Sequence, residues 1–116
     1  MRKKGFLLPL LNETVESRLL YLDRNLTLEA LARELSTNRT YIYDAISSMG
    51  MNYSTYINSY RAQYAIDLLL DSGRRNLSVD DVAEISGFSS PRQMNFYIKK
   101  SAGVTARALR KRIFDN

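Results

Sequence analysis

The chain has 116 residues and a hydrophobic content of 45%, enough for one folded domain with a modest core. It contains no cysteine and no histidine, which excludes disulfides, thiol nucleophiles, imidazole catalysis and the common zinc sites. Its net charge of +5 suits a polyanionic partner. No apolar run is long enough for a membrane span, and the apolar run near the N-terminus is too short for an export signal.

The first segment with helical periodicity covers residues 9–25. Four apolar residues, three or four positions apart, form one stripe along it: Leu11, Val15, Leu19 and Leu22. Charged residues lie off this stripe, so the pattern predicts an amphipathic helix with one buried face. The basic residues before it, Arg2, Lys3 and Lys4, are expected to form a frayed, solvated end.

Residues 26–48 predict two short helices separated by a tight polar turn. Thr27 and Asn38 are good N-caps, because their side chains accept hydrogen bonds from backbone amides that have no partner in the first helical turn. Ser36 and Thr37 interrupt the apolar pattern between the two helices. The inward face of the second helix is expected to hold Ile42, Ala45, Ile46 and Met49. Its outward face is expected to hold Thr40, Tyr43, Asp44 and Ser47.

A long helix is expected from Thr55 to Leu70, with Ser54 as its N-cap and a polar run after its last residue. At about 1.5 Å per residue, this helix would form a rod of roughly 24 Å. Five tyrosines are expected in or near the core rather than in a cofactor site: Tyr41, Tyr53, Tyr56, Tyr60 and Tyr64.

Residues 77–113 repeat the pattern of residues 26–48. Ser78 is the expected N-cap of a short helix, and Gly87 ends that helix because glycine adopts a left-handed backbone without penalty. The inward side of this helix is expected to hold Val79, Val82, Ala83 and Ile85. The repeat favours two helix-turn-helix units on one chain.

The next helix is expected to start with Ser90 as its N-cap and Pro91 as its first residue. Met94 and Ile98 face inward, and the turn before them is one residue longer than in the first copy. The outer side carries Arg92, Asn95, Phe96 and Lys99. An apolar underside with a polar or bulky outer side is typical of the helix that a helix-turn-helix presents to DNA. A last, basic helix is expected from Thr105 to about Arg112, with Thr105 as its cap.

Eight residues of this second copy match the pattern of one family: Gly87, Phe88, Lys99, Lys100, Gly103, Val104, Thr105 and Arg110. The segment resembles the second helix-turn-helix of the AraC/XylS family of bacterial transcription regulators, and the resemblance spans roughly Tyr21 to Arg112. Three positions depart from the family pattern, since Ile98, Ala106 and Leu109 replace a Phe, a Pro and a Tyr. None of the three changes removes the outer side of the recognition helix.

The resemblance implies an all-α domain of about seven helices over the whole chain. Two helix-turn-helix subdomains, residues 9–50 and 77–113, would be joined by a connector helix, residues 54–70. The implied function is sequence-specific binding to double-stranded DNA and transcription regulation. Recognition helices at about 39–49 and 91–100 would enter successive major grooves.

The resemblance also limits the expected partners. No enzyme activity, cofactor, metal or small-molecule site is expected in the domain. RNA polymerase is a further expected partner. A sensory or dimerisation region is expected to be missing from this chain, which is either an excised domain of a larger parent protein or a stand-alone regulator. The domain is expected in the bacterial cytoplasm at the nucleoid, although the parent protein could be membrane-anchored. The alternative function is a helical protein-interaction module in which Tyr43 and Phe96 dock a partner protein.

Six outward residues are expected to contact base edges: Thr40, Tyr43, Asp44, Arg92, Asn95 and Phe96. Arginine suits guanine, asparagine suits adenine or a phosphate, and phenylalanine suits a thymine methyl group or else covers an apolar patch. The Asp44 carboxylate is repelled by phosphates, but it can accept a hydrogen bond from cytosine or pair with Arg39. The first subdomain is therefore expected to bind DNA more weakly than the second.

A further set of residues is expected to contact the DNA backbone, with a solvated surface position as the alternative for each: Arg39, Ser47, Arg61, Lys99, Lys100, Arg107, Arg110 and Arg112. As a set they predict a strong dependence of DNA affinity on salt. For the N-terminal basic residues, the alternative to a solvated end is an arm that contacts DNA.

Overall fold

The computed structural model describes residues 2–114, with side chains described from Phe6 onward. These residues form seven α-helices: α1 (Arg2–Ser17), α2 (Leu28–Glu34), α3 (Arg39–Ser47), α4 (Tyr53–Leu69), α5 (Val79–Ile85), α6 (Pro91–Ala102) and α7 (Ala106–Phe114). Two short 3-10 segments, Leu20–Leu22 and Ser72–Arg74, lie in the connections. No strand occurs between residues 2 and 114, so the expected all-α fold of about seven helices is confirmed.

The chain divides into two compact units, Met1–Ile57 and Asn58–Asn116. The boundary falls within the sequence of α4, whose first residues belong to the first unit and whose remainder belongs to the second. Within residues 2–114, no helix has the length and apolar character needed to cross a membrane.

The first helix starts and ends earlier than expected. It begins at Arg2 and ends at Ser17, which places Pro9 in its interior, where the missing N–H removes one backbone hydrogen bond. Leu19 is exposed and has a left-handed backbone with a φ of 52°, so it cannot continue the predicted apolar stripe. The prediction of one helix over residues 9–25 is therefore wrong at both ends, because Leu19 ends the helical pattern and Pro9 does not start it.

The N-terminal basic residues, Arg2, Lys3 and Lys4, belong to α1 by their backbone. Their side chains lie outside the described part of the structure. The solvated end and its alternative, a DNA-contacting arm, therefore both stay predictions.

The first unit packs α1, α2 and α3 around a small apolar core. Its most deeply buried side chains are Leu11, Val15, Leu31, Ile42 and Ile46. Two tyrosines near the start of α4 are held by hydrogen bonds. The Tyr56 hydroxyl donates to Asn12 Oδ1 at 2.6 Å, and the Tyr53 hydroxyl donates to the Leu26 carbonyl at 2.8 Å. Both tyrosines thus have the structural role that their spacing predicts.

The N-cap of α4 is Asn52, and not the expected Ser54. Asn52 Oδ1 accepts a hydrogen bond from the Thr55 amide at 2.8 Å. The helix begins at Tyr53, so Ser54 already lies inside its first turn. The prediction is wrong because asparagine and serine are both good caps, and the sequence alone did not show which of the two the helix would use.

The second unit has its own core, built from α5, α6, α7 and the part of α4 from Asn58 onward. Its buried side chains include Ala65, Leu69, Val82, Phe88, Met94, Ile98 and Leu109. Val82 and Ala83 are buried as expected, but Val79 is only half-buried and Ile85 is exposed. Ile85 follows Ala83 by two residues and therefore projects from a different side of the helix.

Candidate nucleic-acid interface

The turn of the first helix-turn-helix has a defined backbone geometry. Two backbone hydrogen bonds close the end of α2: the Ser36 amide to the Arg33 carbonyl at 3.1 Å, and the Thr37 amide to the Ala32 carbonyl at 2.9 Å. Ser36 has a φ of 54°, so this is a left-handed Schellman ending. Asn38 then caps α3, because its Oδ1 accepts from the Tyr41 amide at 3.0 Å, as expected.

The turn of the second copy repeats this geometry with a glycine at the left-handed position. The corresponding bonds run from the Gly87 amide to the Glu84 carbonyl at 3.1 Å, and from the Phe88 amide to the Ala83 carbonyl at 3.0 Å. Gly87 has a φ of 87°, a conformation that glycine adopts without steric cost. Between the helices lie residues 35–38 in the first copy and 86–90 in the second, so the second turn is one residue longer, as predicted.

The start of α6 is fixed by several hydrogen bonds. Ser90 Oγ accepts from the Gln93 amide at 3.1 Å, and Pro91 is the first helical residue, both as expected. Gln93 Oε1 in turn accepts from the amide and the hydroxyl of Ser89, at 2.9 and 3.0 Å. These bonds join the first turn of α6 to the residues before it, which fixes the direction in which Arg92 leaves the helix.

The two sides of α6 differ in chemistry. Met94 and Ile98 are fully buried on the underside, as expected. The exposed side carries three basic residues and one aromatic residue: Arg92, Phe96, Lys99 and Lys100. No acidic residue occurs in α6, so nothing on the helix itself offsets the positive charge. A helix with this outer side fits the major groove of duplex DNA, which presents acceptor atoms and methyl groups between two rows of phosphates.

Phe96 is a large apolar side chain that the structure leaves 54% exposed. Its ring meets the Tyr97 ring edge to face, with centroids 5.0 Å apart and an interplanar angle of 87°. Lys100 Nζ lies 5.0 Å from the Phe96 ring centroid, a cation–π distance. These neighbours cover part of the ring and leave the rest in solvent.

Asn95 lies in an environment that differs from the expected one. It is half-buried, and its Oδ1 accepts from the amide of Ala106, the first residue of α7, at 2.9 Å. A bidentate contact with adenine would need the same oxygen. In this position the Asn95 oxygen holds the first residue of α7 to α6.

The Ala106 amide explains this bond. The family pattern has a proline at this position, which carries no N–H, whereas Ala106 has a donor that needs an acceptor. Asn95 supplies that acceptor. Thr105 caps α7 as expected, because its Oγ1 accepts from the Ala108 amide at 3.1 Å. Here the departure from the family pattern is accompanied by a side chain that satisfies the additional amide.

Arg110 is buried, although the sequence pattern places it among the DNA backbone contacts. Only 8% of the residue is exposed, and its Nη1 donates to the carbonyls of Arg74 and Arg75, at 3.1 and 3.2 Å. These carbonyls lie in the connection between α4 and α5, so Arg110 holds that connection to α7. The burial of Arg110 and these two bonds give it a structural role, and they do not support the predicted contact with a phosphate.

Arg61 requires the same correction. It lies on α4, is 7% exposed, and donates from Nη1 to Asn58 Oδ1 at 2.9 Å. The spacing contained a signal for this burial: Arg61 lies four residues after Ile57 and four before Ala65, and both of these residues are fully buried. Residues four apart share one face of a helix, so Arg61 belongs to the inward face of α4.

The other backbone candidates are exposed: Arg39, Ser47, Lys99, Lys100, Arg107 and Arg112. Four of these six lie at the end of α6 or on α7, within the second unit. Residues Asn58–Asn116 carry ten basic and six acidic residues, a net charge of +4, against seven and six, a net charge of +1, in Met1–Ile57. Positive charge is therefore concentrated in the second unit.

The outer side of α3 is polar and has no net charge. Four expected outward residues are all exposed: Thr40, Tyr43, Asp44 and Ser47. Tyr43 is the largest of them and is 56% exposed. Arg39 Nε lies 3.2 Å from Glu29 Oε2 of α2, so Arg39 pairs with that residue rather than with Asp44. Both partners are more than half exposed, and such a pair adds little stability.

An apolar groove of about 200 Å³ lies between α1 and α3, beside Asp44. It is lined by Leu7, Leu8, Tyr41, Asp44, Ala45 and Ser48. Tyr41 is exposed here, although its spacing predicts a core position. The sequence pattern did not indicate the groove, because Leu7 and Leu8 belong to the part of α1 that lies before the predicted helix.

Comparisons with known proteins agree with this architecture. A family model described as a helix-turn-helix domain matches residues 31–112. The DNA-binding transcriptional dual regulator from Escherichia coli K-12 has a TM-score of 0.73 at 19% identity, over 91% of this chain and 90% of that one. The C-terminal domain of AraT, a response regulator from Geobacillus stearothermophilus, has a TM-score of 0.73 at 22% identity, over 90% and 84%. No curated protein sequence matches the chain.

A third solved structure is a transcriptional regulator from Chromobacterium violaceum, described among AraC-type DNA-binding domain-containing proteins. It has a TM-score of 0.72 at 21% identity, over 90% of this chain and 92% of that one. These identities show a shared fold, and the family model, which covers more than two thirds of the chain, shows the family. The chain therefore belongs to the AraC-type helix-turn-helix family of DNA-binding transcription regulators.

Proposed function

We propose that the chain regulates transcription by binding specific sequences of duplex DNA, with α3 and α6 as recognition helices in successive major grooves. The observation that carries this proposal is the outer side of α6. Exposed cationic and aromatic side chains project there from a helix whose start is capped and whose underside is fully buried. Such a helix presents its outer groups in fixed directions, which sequence-specific contacts require.

Arg92 is the proposed principal base-contacting residue. It lies in the first turn of α6, and the N-terminal residues of a recognition helix are those that contact base edges. Its guanidinium can donate to O6 and N7 of one guanine together. Phe96 lies four residues later on the same side and adds an apolar contact. Asn95 is left out of this set, because its oxygen holds the Ala106 amide.

The proposed contacts of α3 are weaker. Thr40, Tyr43 and Asp44 are exposed on the same outer side of α3 as Ser47. They are therefore the candidates for contacts with base edges in the first half-site. Hydroxyl groups discriminate between bases less than a bidentate arginine does. Asp44 can accept a hydrogen bond from a cytosine, but phosphates on either side repel its charge.

The exposed basic residues are proposed to contact the DNA backbone. Lys99 and Lys100 would do so from the last turn of α6, Arg107 and Arg112 from α7, and Arg39 with Ser47 from α3. Phosphate contacts hold a protein in register without specifying a sequence. Because the second unit carries most of the net positive charge, it is proposed to supply most of the affinity.

We propose that regulation involves a further partner besides DNA. Positioning or recruiting RNA polymerase is the proposed route, and a sensory or dimerisation region of a larger parent protein would supply the signal. Both of these proposals rest on the family and not on a feature of residues 2–114.

Selection of bound duplexes from a random pool, followed by titration at several salt concentrations, tests the proposed function. We expect one enriched sequence with two half-sites about one helical turn, roughly 10 base pairs, apart. The logarithm of the affinity should fall linearly with the logarithm of the salt concentration, with a slope of about −0.9 per neutralised phosphate. Failure to enrich any sequence would refute sequence-specific binding.

A protein-interaction module is the alternative function. The exposed rings of Tyr43 and Phe96 favour it, as does the apolar groove between α1 and α3. A module that binds only protein would show no salt-dependent affinity for duplex DNA. The salt titration therefore separates the two functions.

A further inference from the structure

Phe96 is surrounded by groups that suit one feature of DNA, the methyl group at C5 of a pyrimidine. We infer that Phe96 recognises 5-methylpyrimidines in the major groove. The site then prefers thymine to uracil at one position, and 5-methylcytosine to unmethylated cytosine at the same position. This inference rests on the proposed function and specifies the base class that the outer side of α6 accepts.

The position of Phe96 supports this assignment. It follows Arg92 by four residues, so both side chains project from the same side of α6. If Arg92 enters a major groove, Phe96 faces the same row of base edges one helical turn further along. The C5-methyl group of thymine is the apolar feature that base pairs present in that groove, since the other groups there are hydrogen-bond donors and acceptors.

The ring is also held in place before any ligand arrives. Lys100 Nζ lies 5.0 Å from its centroid, and Tyr97 contacts it edge to face at an interplanar angle of 87°. A ring that is already held loses little conformational entropy when it contacts a methyl group. No acidic residue of α6 would repel the phosphates on either side of the base. The exposed part of the ring therefore lies beside the positive charge of Lys100, on a helix without acidic residues, which suits a contact between phosphates.

Two other residues define controls. Phe114, the last residue of α7, is 58% exposed and has the Arg75 guanidinium carbon 5.8 Å from its ring centroid. It thus matches Phe96 in exposure and in its cationic neighbour, but it lies outside α6. In the first copy, Asp44 occupies the position of Phe96, because Ile42 and Ile46 correspond to Met94 and Ile98. We therefore expect the methyl effect in only one of the two half-sites.

The experiment uses the full 116-residue chain and the tightest duplex from the random pool. Each thymine is replaced singly by uracil, which removes only the methyl group. We expect one position at which uracil weakens binding about three- to fivefold, the value of one buried methyl-sized group. At that position, 5-methylcytosine should bind more tightly than cytosine by a similar factor. The Phe96→Ala variant should lose both differences, and Phe114→Ala should keep them.

Two results would overturn the inference. One is equal binding of uracil and thymine at every position by the unaltered chain. The other is an undiminished uracil effect in Phe96→Ala, with Phe96→Gln as a second variant that lacks the ring. Either result leaves sequence-specific binding intact, whereas failure to enrich any duplex would overturn the proposed function itself. Because Phe96 is more than half exposed, both variants should keep the helical circular dichroism signal.

Discussion

The two helix-turn-helix copies reach the same backbone geometry with different residues. Their first helices are both seven residues long, and both end in the same pair of backbone hydrogen bonds around a left-handed residue. That residue is Ser36 in the first copy and Gly87 in the second. Ser78 and Asp81 form a capping box at the start of α5. At the start of α2 a single capping hydrogen bond is present, which the Thr27 side chain accepts. The second copy is thus the better supported by local interactions.

The outer sides of the two proposed recognition helices, α3 and α6, differ more than their backbones do. α6 carries a charge of +3 and α3 carries none. Thr40 occupies the position of Arg92, and Asp44 that of Phe96. Caps and left-handed residues determine the backbone, and outward side chains take little part in it. The two helix-turn-helix copies can therefore have the same backbone geometry although the outer sides of α3 and α6 differ in charge.

The largest expected effect is on the outer side of α6, where Arg92 is the proposed base-contacting residue. Replacing Arg92 with alanine should cost about 1–3 kcal/mol at the selected site and relax specificity at one base pair. The matched control is Thr40→Ala in the first copy, for which we expect a smaller loss. Affinities for a set of single-base variants of the duplex measure both. An equal loss on every sequence would show that Arg92 contacts a phosphate.

The left-handed turn of the second copy can be made to resemble that of the first. Gly87→Ser should destabilise the second unit by about 1–2 kcal/mol, because a residue with a Cβ is strained at the φ of 87°. Urea unfolding followed by circular dichroism gives the change in free energy of unfolding. An unchanged free energy would mean that the glycine is not needed at this turn.

The bond between Asn95 and Ala106 belongs to the second copy alone. Asn95→Ala should destabilise the fold by about 1–2 kcal/mol, because it leaves the Ala106 amide without its acceptor. In an Ala106→Pro background the amide is absent, and the same substitution should cost close to nothing. Urea unfolding of the two single variants and the double variant measures this coupling. If Asn95→Ala costs the same in both backgrounds, the Ala106 amide is not the group that Asn95 serves.

Ser36→Gly in the first copy is the reverse of Gly87→Ser in the second, and it should change stability in the opposite direction. Ser36→Gly removes a strained side chain at the φ of 54° but increases the freedom of the unfolded chain. We expect a net gain of about 0.5–1 kcal/mol in the free energy of unfolding of the first unit. A loss of stability on urea unfolding would contradict this expectation.

An effect of similar size is expected from making the charge of α3 similar to that of α6. Asp44→Arg should strengthen binding to all duplexes by about 0.5–1 kcal/mol, the scale of an exposed charge interaction. The salt dependence of the affinity should also become steeper, because a further phosphate is neutralised. Asp44→Asn, which removes the charge and adds none, is the matched control. If neither variant changes affinity, Asp44 lies away from the duplex.

Much of the fold follows from the sequence, because its signals are local. Five predicted caps are confirmed: Thr27, Asn38, Ser78, Ser90 and Thr105. Each cap accepts from an amide three residues later, so the signal and its partner lie within one helical turn. The same locality explains why the predicted outward residues of α3 are exposed, as are Arg92, Phe96 and Lys99 of α6. Helical spacing alone decides which residues share a side.

The sequence by itself thus determined the two helix-turn-helix copies, their unequal turns and most of the residues on their outer sides. Only the tertiary structure decided which polar residues serve the fold. Arg110 bonds to carbonyls 36 and 35 residues earlier in the chain, and Asn95 to an amide 11 residues later. The spacing of residues within one helix cannot identify such partners, because they come together only when different elements pack. For this reason the sequence located the candidate interface but did not show that Asn95 and Arg110 bond to other elements of the protein. Arg61 is different, because its partner Asn58 and its buried neighbours lie on the same helix, and their spacing already indicated its burial.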